Sequence, residues 1–434
     1  MQLPLNRLPA IKLARMLRAG DVTCEAVTHS FLDAVEQRDA EVRAFAWIDA
    51  ARAMNIAREF DRNGGLGPLA GLPIAVKDVI DTAGIPTECG SPIYAGRIPH
   101  ADAACVTTAC AAGGYVFGKT VTAELANPTP GATRNPHAPA HTPGGSSSGS
   151  AAAVAARMAP FALGTQTAGS VIRPAAFCGV VGFVPTRGAI PRSGVLQVSD
   201  TLDVIGCFAH SVEDVAFLDA VLSMRVADAA FDDATAPSIA WTDTPWAAQL
   251  TTSMAKSLGD VVRLCSDSGA SVRRAMWSDM FATLVDAQRT VQVFETARAF
   301  AAETEAAGNL LSAPLAALID EGRSIEPACY VSALASGRRC AREVNGLFGN
   351  ADVVLAPSAP GEAPYGLEST GDPTFNRPWH LLGGPQINVP LPRSMTHTKS
   401  NLPLGVQLVG RPGDDARVLA AAYWLEQRLL HASN

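Results

Sequence analysis

Two glycine-flanked serines on either side of an alanine-rich stretch constrain this chain more than any other feature. Gly144-Gly-Ser-Ser-Ser-Gly-Ser150 runs directly into Ala151-Ala-Ala-Val-Ala-Ala156, and Ser170 follows Ser146 by 24 residues within Gly164-Thr-Gln-Thr-Ala-Gly-Ser170. Glycine lets a backbone turn sharply and approach a neighbour closely, whereas alanine favours helix. The pattern predicts a tight loop feeding a helix, with Ser148 or Ser150 as its cap. A flexible Gly/Ser linker does not normally abut such a helical run inside a compact fold. Peptide N–H groups beside a helix start also make a cradle for a negatively charged oxygen.

Around this centre, short apolar runs alternate with helical patterns. Ile74-Ala75-Val76, Tyr115-Val116-Phe117, Val180 to Val184, Ile239 to Trp241, Val353 to Leu355 and Val406 to Val409 read as strands. Residues 9–62, 103–112, 211–222, 280–348 and 416–430 read as mainly helical, with Ser211 three residues before Asp214 as a helix start. This alternation predicts an α/β fold with a mixed, largely parallel sheet covered by helices on both faces. No repeat or linker divides the chain, so one domain is expected over residues 1–434. It comprises a core at about 65–215, a variable helical region at about 245–350 and C-terminal strands and helix at 351–434. Residues 356–380 form the expected pocket-lining loop, with Trp379 and His380 in its wall.

A net charge of −7 and no basic stripe argue against a nucleic-acid partner. Nine dispersed cysteines without metal spacing argue against zinc and for a reducing compartment. No apolar run is long enough to span a bilayer. The expectation is a cytoplasmic protein with no membrane partner, metal or organic cofactor.

One motif misleads. Gly113-Gly-Tyr-Val-Phe-Gly118-Lys119-Thr120 fits the phosphate-loop pattern, but a helix precedes it and its interior is an apolar strand. It reads as structural. By contrast, Lys77 ends the apolar strand Ile74-Ala75-Val76, where burial favours the neutral amine. A neutral lysine can take a serine proton without a histidine. The G-x-S-x-G nucleophile elbow is absent around Ser170, which disfavours a serine–histidine triad, although His141 and His380 stay open as bases. The combination points to acyl transfer from an amide.

Lys77, the Gly-Gly-Ser-Ser-Ser-Gly-Ser stretch and Gln166-Thr-Ala-Gly-Ser170-Val-Ile-Arg173 together resemble the amidase signature family, over nearly the whole chain. Within it, Ser170-Val-Ile-Arg173-Pro and Ser369-Thr-Gly-Asp-Pro373 are similar to the malonamidase branch. The resemblance implies a triad of Ser170 as nucleophile, Ser146 after a cis peptide as bridge, and Lys77 as base. It further implies an oxyanion hole from Thr167, Ala168 and Gly169 with the Ser170 N–H. Gly144, Gly145 and Arg173 would bind substrate, and Ser147 and Gln166 would support the network. Most family members carry Asp at the position of Gln166 and Gly at that of Ala168, which leaves open the charge near Lys77 and the strain at residue 168.

The resemblance therefore implies a small-molecule amide as partner, hydrolysed to a carboxylic acid and ammonia. A carboxylate-bearing substrate such as malonamate would be anchored by Arg173, and the malonamidase likeness favours a homodimer. The alternatives are a neutral aliphatic or aryl amide, a glutamine-using amidotransferase subunit, or a non-catalytic scaffold.

Overall fold

A computed structural model describes residues 3–64, 67–225, 231, 234–400 and 402–432; Gly65, the expected start of the core, lies outside the described residues. Eleven strands form a single sheet: β1 (Phe45–Ile48), β2 (Pro73–Lys77), β3 (Tyr115–Thr120), β4 (Phe161–Gln166), β5 (Val181–Val184), β6 (Val204–Ala209), β7 (Ser238–Trp241), β8 (Ser271–Arg274), β9 (Val353–Pro357), β10 (Gln386–Pro390) and β11 (Gly405–Val409). Their order across the sheet is β1-β3-β2-β4-β6-β5-β10-β11-β9-β7-β8. The fold is α/β, with helices packed against this one sheet, as expected.

The sheet is mixed in a particular way. Strands β3, β2 and β4 run parallel on one side, and β9, β7 and β8 run parallel on the other. Antiparallel pairings join them through β6, β5, β10 and β11. Antiparallel neighbours thus outnumber parallel ones among the described strands, a different balance from the largely parallel sheet expected.

The strands without a clear signal in the sequence are mostly the central ones. In β4 and β6, Gly164 stands opposite Gly206, and neither site has room for a side chain. A Cβ on Gly164 would come 2.9 Å from Ser147 Oγ, and one on Gly206 would come 2.6 Å from the Phe183 carbonyl oxygen. Strands buried on both faces and interrupted by glycine lose the alternation that marks a strand. Phe45–Ile48 falls inside the stretch expected to be helical and is a strand instead; Arg43 ends the preceding helix in the left-handed region, φ 54°.

The helix Ser148–Ala155 explains the alanines. All of its residues through Val154 are buried, and Ala151 to Val154 join Ala75, Ala162, Val171 and Ile172 in one apolar cluster. A helix this close to the sheet tolerates only small side chains; a Cβ on Gly149 would lie 2.2 Å from the Ala44 carbonyl oxygen. Ser150 hydroxyl donates to the Leu163 carbonyl at 2.8 Å, which ties the helix to β4. The expected cap differs: the N-cap is Ser147, and its side chain makes no capping bond because it is used elsewhere. At Val212–Leu222 the expected cap is present, with Ser211 Oγ accepting from Asp214 N at 3.2 Å.

Seven of the nine cysteines are buried and all are free. Among the described residues no helix is long and apolar enough to cross a membrane, and no cluster of acidic, histidine and cysteine side chains could hold a metal.

Candidate active site

Strands β2 and β4 are parallel neighbours, with Val76 opposite Leu163. Their C-terminal ends therefore open on the same edge of the sheet, the usual place for ligands in such folds. Lys77 ends β2 and Gln166 ends β4. The register brings Lys77 beside Thr165: its Nζ lies 2.8 Å from Thr165 Oγ1 and 2.8 Å from Ser146 Oγ.

Lys77 is completely buried, and among the described residues it forms no ion pair. Burial lowers its pKa from the ordinary 10.5 to about 7, against an upward pull from the Asp203 carboxylate. Near neutral pH a large share of these amines is uncharged and holds a lone pair toward a hydroxyl.

Ser146 arrives from the glycine loop. Gly144 adopts φ 81°, and a side chain there would meet Pro174 Cα at 2.8 Å. The Gly145–Ser146 peptide is cis. Ser147 next to it is fully buried; its hydroxyl donates to the Thr165 carbonyl at 3.1 Å and accepts from the Thr165 N–H at 3.3 Å. The Ser147 N–H points to the Ser170 carbonyl at 3.4 Å, which docks the Ser146 loop against the Ser170 turn.

Ser170, half-buried, sits in the turn between β4 and the helix Ile172–Cys178. Gln166 secures that turn. Its Oε1 accepts from the N–H groups of Val171 and Ile172 at 2.9 and 3.1 Å, while its Nε2 lies 3.2 Å from His380 Nδ1. The amide performs by hydrogen bonding what a carboxylate could do at this position, and it does not touch Lys77. Charge near the lysine comes from Asp203 instead. Ala168 is not among the positive-φ residues, so its methyl group introduces no left-handed strain. The described hydrogen bonds give no partner to the N–H groups of Thr167, Ala168, Gly169 or Ser170.

Arg173 is the second residue of the helix Ile172–Cys178 and is buried. Its Nε donates to the Thr370 carbonyl at 2.7 Å, and Nη2 donates to the Gly145 carbonyl at 2.6 Å and to Thr370 Oγ1 at 3.2 Å. Nη1 is buried without a partner among the described residues, and no carboxylate there pairs with the guanidinium. Burial, reinforced by nearby Arg377 and only partly offset by the Asp372 carboxylate, lowers its pKa to about 9. A buried cation lacking a counter-charge is costly unless an anion completes it.

The histidines are otherwise engaged. His380 is enclosed, with Nε2 2.7 Å from the Leu202 carbonyl, and burial lowers its pKa to about 3. His141 Nδ1 faces the Ala363 carbonyl at 2.9 Å. Trp379 packs in the core against Trp277 and, like His380, does not form an exposed pocket wall. Lys119 of the phosphate-loop look-alike is buried beside Asp78 at 3.2 Å, and its Nζ donates to the Ile80 carbonyl at 2.9 Å.

Sequence reasoning misses four residues here. Thr165 lies inside the Gly164–Ser170 motif, but only the pairing of β4 beside β2 brings its side chain to Lys77. Asp203, whose Oδ1 accepts from Thr167 Oγ1 at 2.6 Å, Gln288, which donates to the Thr167 carbonyl at 2.8 Å, and Asn376 come from distant segments with no local signal. A cavity of about 330 Å³ bounded by Arg192, Leu196, Gln197 and Asp203 adjoins this loop. A larger cleft of about 720 Å³, lined by Ile11, Phe217 and Tyr423, includes none of these residues.

The sequence profile of the family described as Amidase matches residues 26–419. The A subunit of glutamyl-tRNA(Gln) amidotransferase from Methanosarcina mazei is 30% identical over 93% of this chain and 94% of its own length. The corresponding subunit from Acidothermus cellulolyticus is 44% identical over a shorter stretch, 54% of this chain and 49% of that one. A crystal structure of an amidase superposes with a TM-score of 0.89 at 27% identity, covering 97% of this chain and all of its own.

Proposed function

The chain belongs to the amidase signature family, and from that premise we propose that it breaks carbon–nitrogen bonds of non-peptide amides through an acyl-enzyme on Ser170. The observation that carries this reading is the buried Lys77 amine, without an ion pair among the described residues, in contact with Ser146 at the strand end shared with the Ser170 turn. Neutral Lys77 takes the Ser146 proton as Ser146 takes that of Ser170. The Ser170 oxygen bonds to the amide carbon, and the unpartnered N–H groups of residues 167–170 receive the oxyanion. An oxyanion-hole donor is typically worth about 3–4 kcal/mol of barrier. The proton then returns along the same relay to the departing nitrogen, the C–N bond breaks and ammonia leaves. Water or another acceptor releases the acyl group.

The unfilled Nη1 of Arg173 favours an amide that also carries a carboxylate, since a guanidinium pairs with one by charge-assisted hydrogen bonds of about 1.5–3 kcal/mol each. Glutamine meets both conditions. Full-length similarity to proteins named as amidotransferase subunits supports glutamine as amide donor in an assembly with unlike subunits, in place of the malonamate hydrolase and homodimer expected first. A stand-alone hydrolase of malonamate-like mono-amides is the second reading, kept by the same arginine.

Ammonia release from glutamine, malonamate and a neutral amide such as propionamide tests both readings. Ser170→Ala abolishes release from all three, and retained turnover refutes the nucleophile. Arg173→Met raises KM for the carboxylate-bearing amides by ten-fold or more, about 1.4 kcal/mol, and leaves propionamide unchanged. Equal effects on both classes would make Arg173 structural.

A further inference from the structure

We propose that Gln288, on the distant helix Leu284–Ala299, is a positioning residue for the oxyanion site: it fixes the direction of the Ala168 N–H by holding the other side of the same peptide plane. The inference rests on the acyl-enzyme reading above and adds a residue that the family motif does not contain.

The geometry is direct. Gln288 is fully buried, and its Nε2 donates to the Thr167 carbonyl at 2.8 Å. The Thr167–Ala168 peptide is trans, since the only cis bond among the described residues is Gly145–Ser146. In a trans peptide the C=O and the following N–H point in opposite directions. Anchoring the Thr167 oxygen on Gln288 therefore aims the Ala168 N–H away from that helix, and no described group takes up this N–H.

The orientation of the Gln288 amide is itself determined. Its Oε1 accepts from Arg377 Nη1, which also donates to Gln292 Oε1 at 2.9 Å. Arginine has no acceptor, so the oxygen must face Arg377 and the NH₂ must face Thr167. The Thr167 side chain is held independently, through Oγ1–H to Asp203 Oδ1 at 2.6 Å, and Asp203 Oδ2 in turn accepts from the N–H groups of Val198 and Ser199 at 2.8 and 3.0 Å. Thr167 is thus clamped at its hydroxyl from the β5–β6 connection and at its carbonyl from the helical region. Only the second clamp sets the peptide plane. A helix in a region expected to vary with substrate therefore contributes to the machinery that is common to all substrates.

Catalysis gains from such support because a donor must be aimed at the oxyanion before charge develops. The test compares wild type, Gln288→Leu and the isosteric Gln288→Glu, which loses the donor, using ammonia release and the inhibition constant of phenylboronic acid, whose adduct on a serine carries the tetrahedral negative charge. Both variants should lose about ten- to a hundred-fold in kcat, with KM within two-fold, and bind phenylboronic acid weaker by the same factor. Either variant suffices if the other does not fold, as judged by its thermal midpoint. A folded variant with unchanged kcat and boronate affinity, or with a changed KM alone, overturns the proposal. Ser170→Ala measured alongside separates the two levels: if it stays active the acyl-enzyme reading fails, and if it is inactive while Gln288 variants are normal, only the positioning role fails.

Discussion

Replacing Lys77 with methionine should abolish activity and change stability in a manner that depends on pH, most favourably for the variant in acid. The fall in pKa from 10.5 to about 7 corresponds to a preference for the neutral amine of about 5 kcal/mol, at about 1.4 kcal/mol per pH unit. The unfolded lysine keeps its proton up to about pH 10.5, and the folded one loses it near pH 7. Below pH 7 both states hold the proton and folding bears the full cost of burying an ammonium. Between these values the unfolded state binds more protons, so wild-type stability rises with pH. Above pH 10.5 neither state is charged and the cost is gone.

Methionine never carries the charge, but it leaves the hydroxyls of Ser146 and Thr165 without their nitrogen partner. Each such loss costs about 1–3 kcal/mol. Together the two losses cost about 2–6 kcal/mol against about 5 gained, so Lys77→Met should lie between about 3 kcal/mol more stable and about 1 kcal/mol less stable than wild type at pH 6, and should lose ground steadily as pH rises to 10. Urea unfolding midpoints of both proteins at pH 6, 8 and 10 measure the difference. In parallel, wild-type kcat/KM should fall below a midpoint near pH 7, where the base becomes protonated. A stability difference that does not vary with pH, or one that favours wild type most at pH 6, would refute a neutral buried lysine.

Two further outcomes concern the surroundings of the lysine. The Asp203 carboxylate raises the Lys77 pKa, so Asp203→Asn, which can still accept from Thr167, should move the acid limb of the kcat/KM profile to lower pH; an unmoved or raised midpoint contradicts the assignment. Lys119→Met leaves Asp78 buried without its cation and should cost about 3–5 kcal/mol in urea unfolding, whereas a neutral result would mean that Asp78 is already protonated.

Much of the architecture is legible along the chain because its signals are local. Tyr115-Val116-Phe117 and Val353-Val354-Leu355 are apolar runs that become the cores of β3 and β9, and Ser211 caps its helix three residues before Asp214. Lys77, Ser146, Ser147, Gln166 and Ser170 all stand out, because glycine-flanked serines and a lysine at a strand end leave a mark in the sequence itself. Their contacts have no such mark. Thr165 meets Lys77 only because β4 pairs beside β2 as a parallel neighbour, and β4, with a glycine at its middle, does not look like a strand.

The sequence by itself determined which side chains could carry the chemistry and the α/β framework that holds them. The tertiary structure decided how those groups behave. Whether Lys77 is neutral depends on complete burial and on Asp203, 126 residues away; whether Arg173 is satisfied depends on Thr370 and Gly145; and the aim of the Ala168 N–H depends on Gln288. Desolvation and hydrogen-bond direction are properties of packed space, set by residues that are neighbours only once the chain has folded.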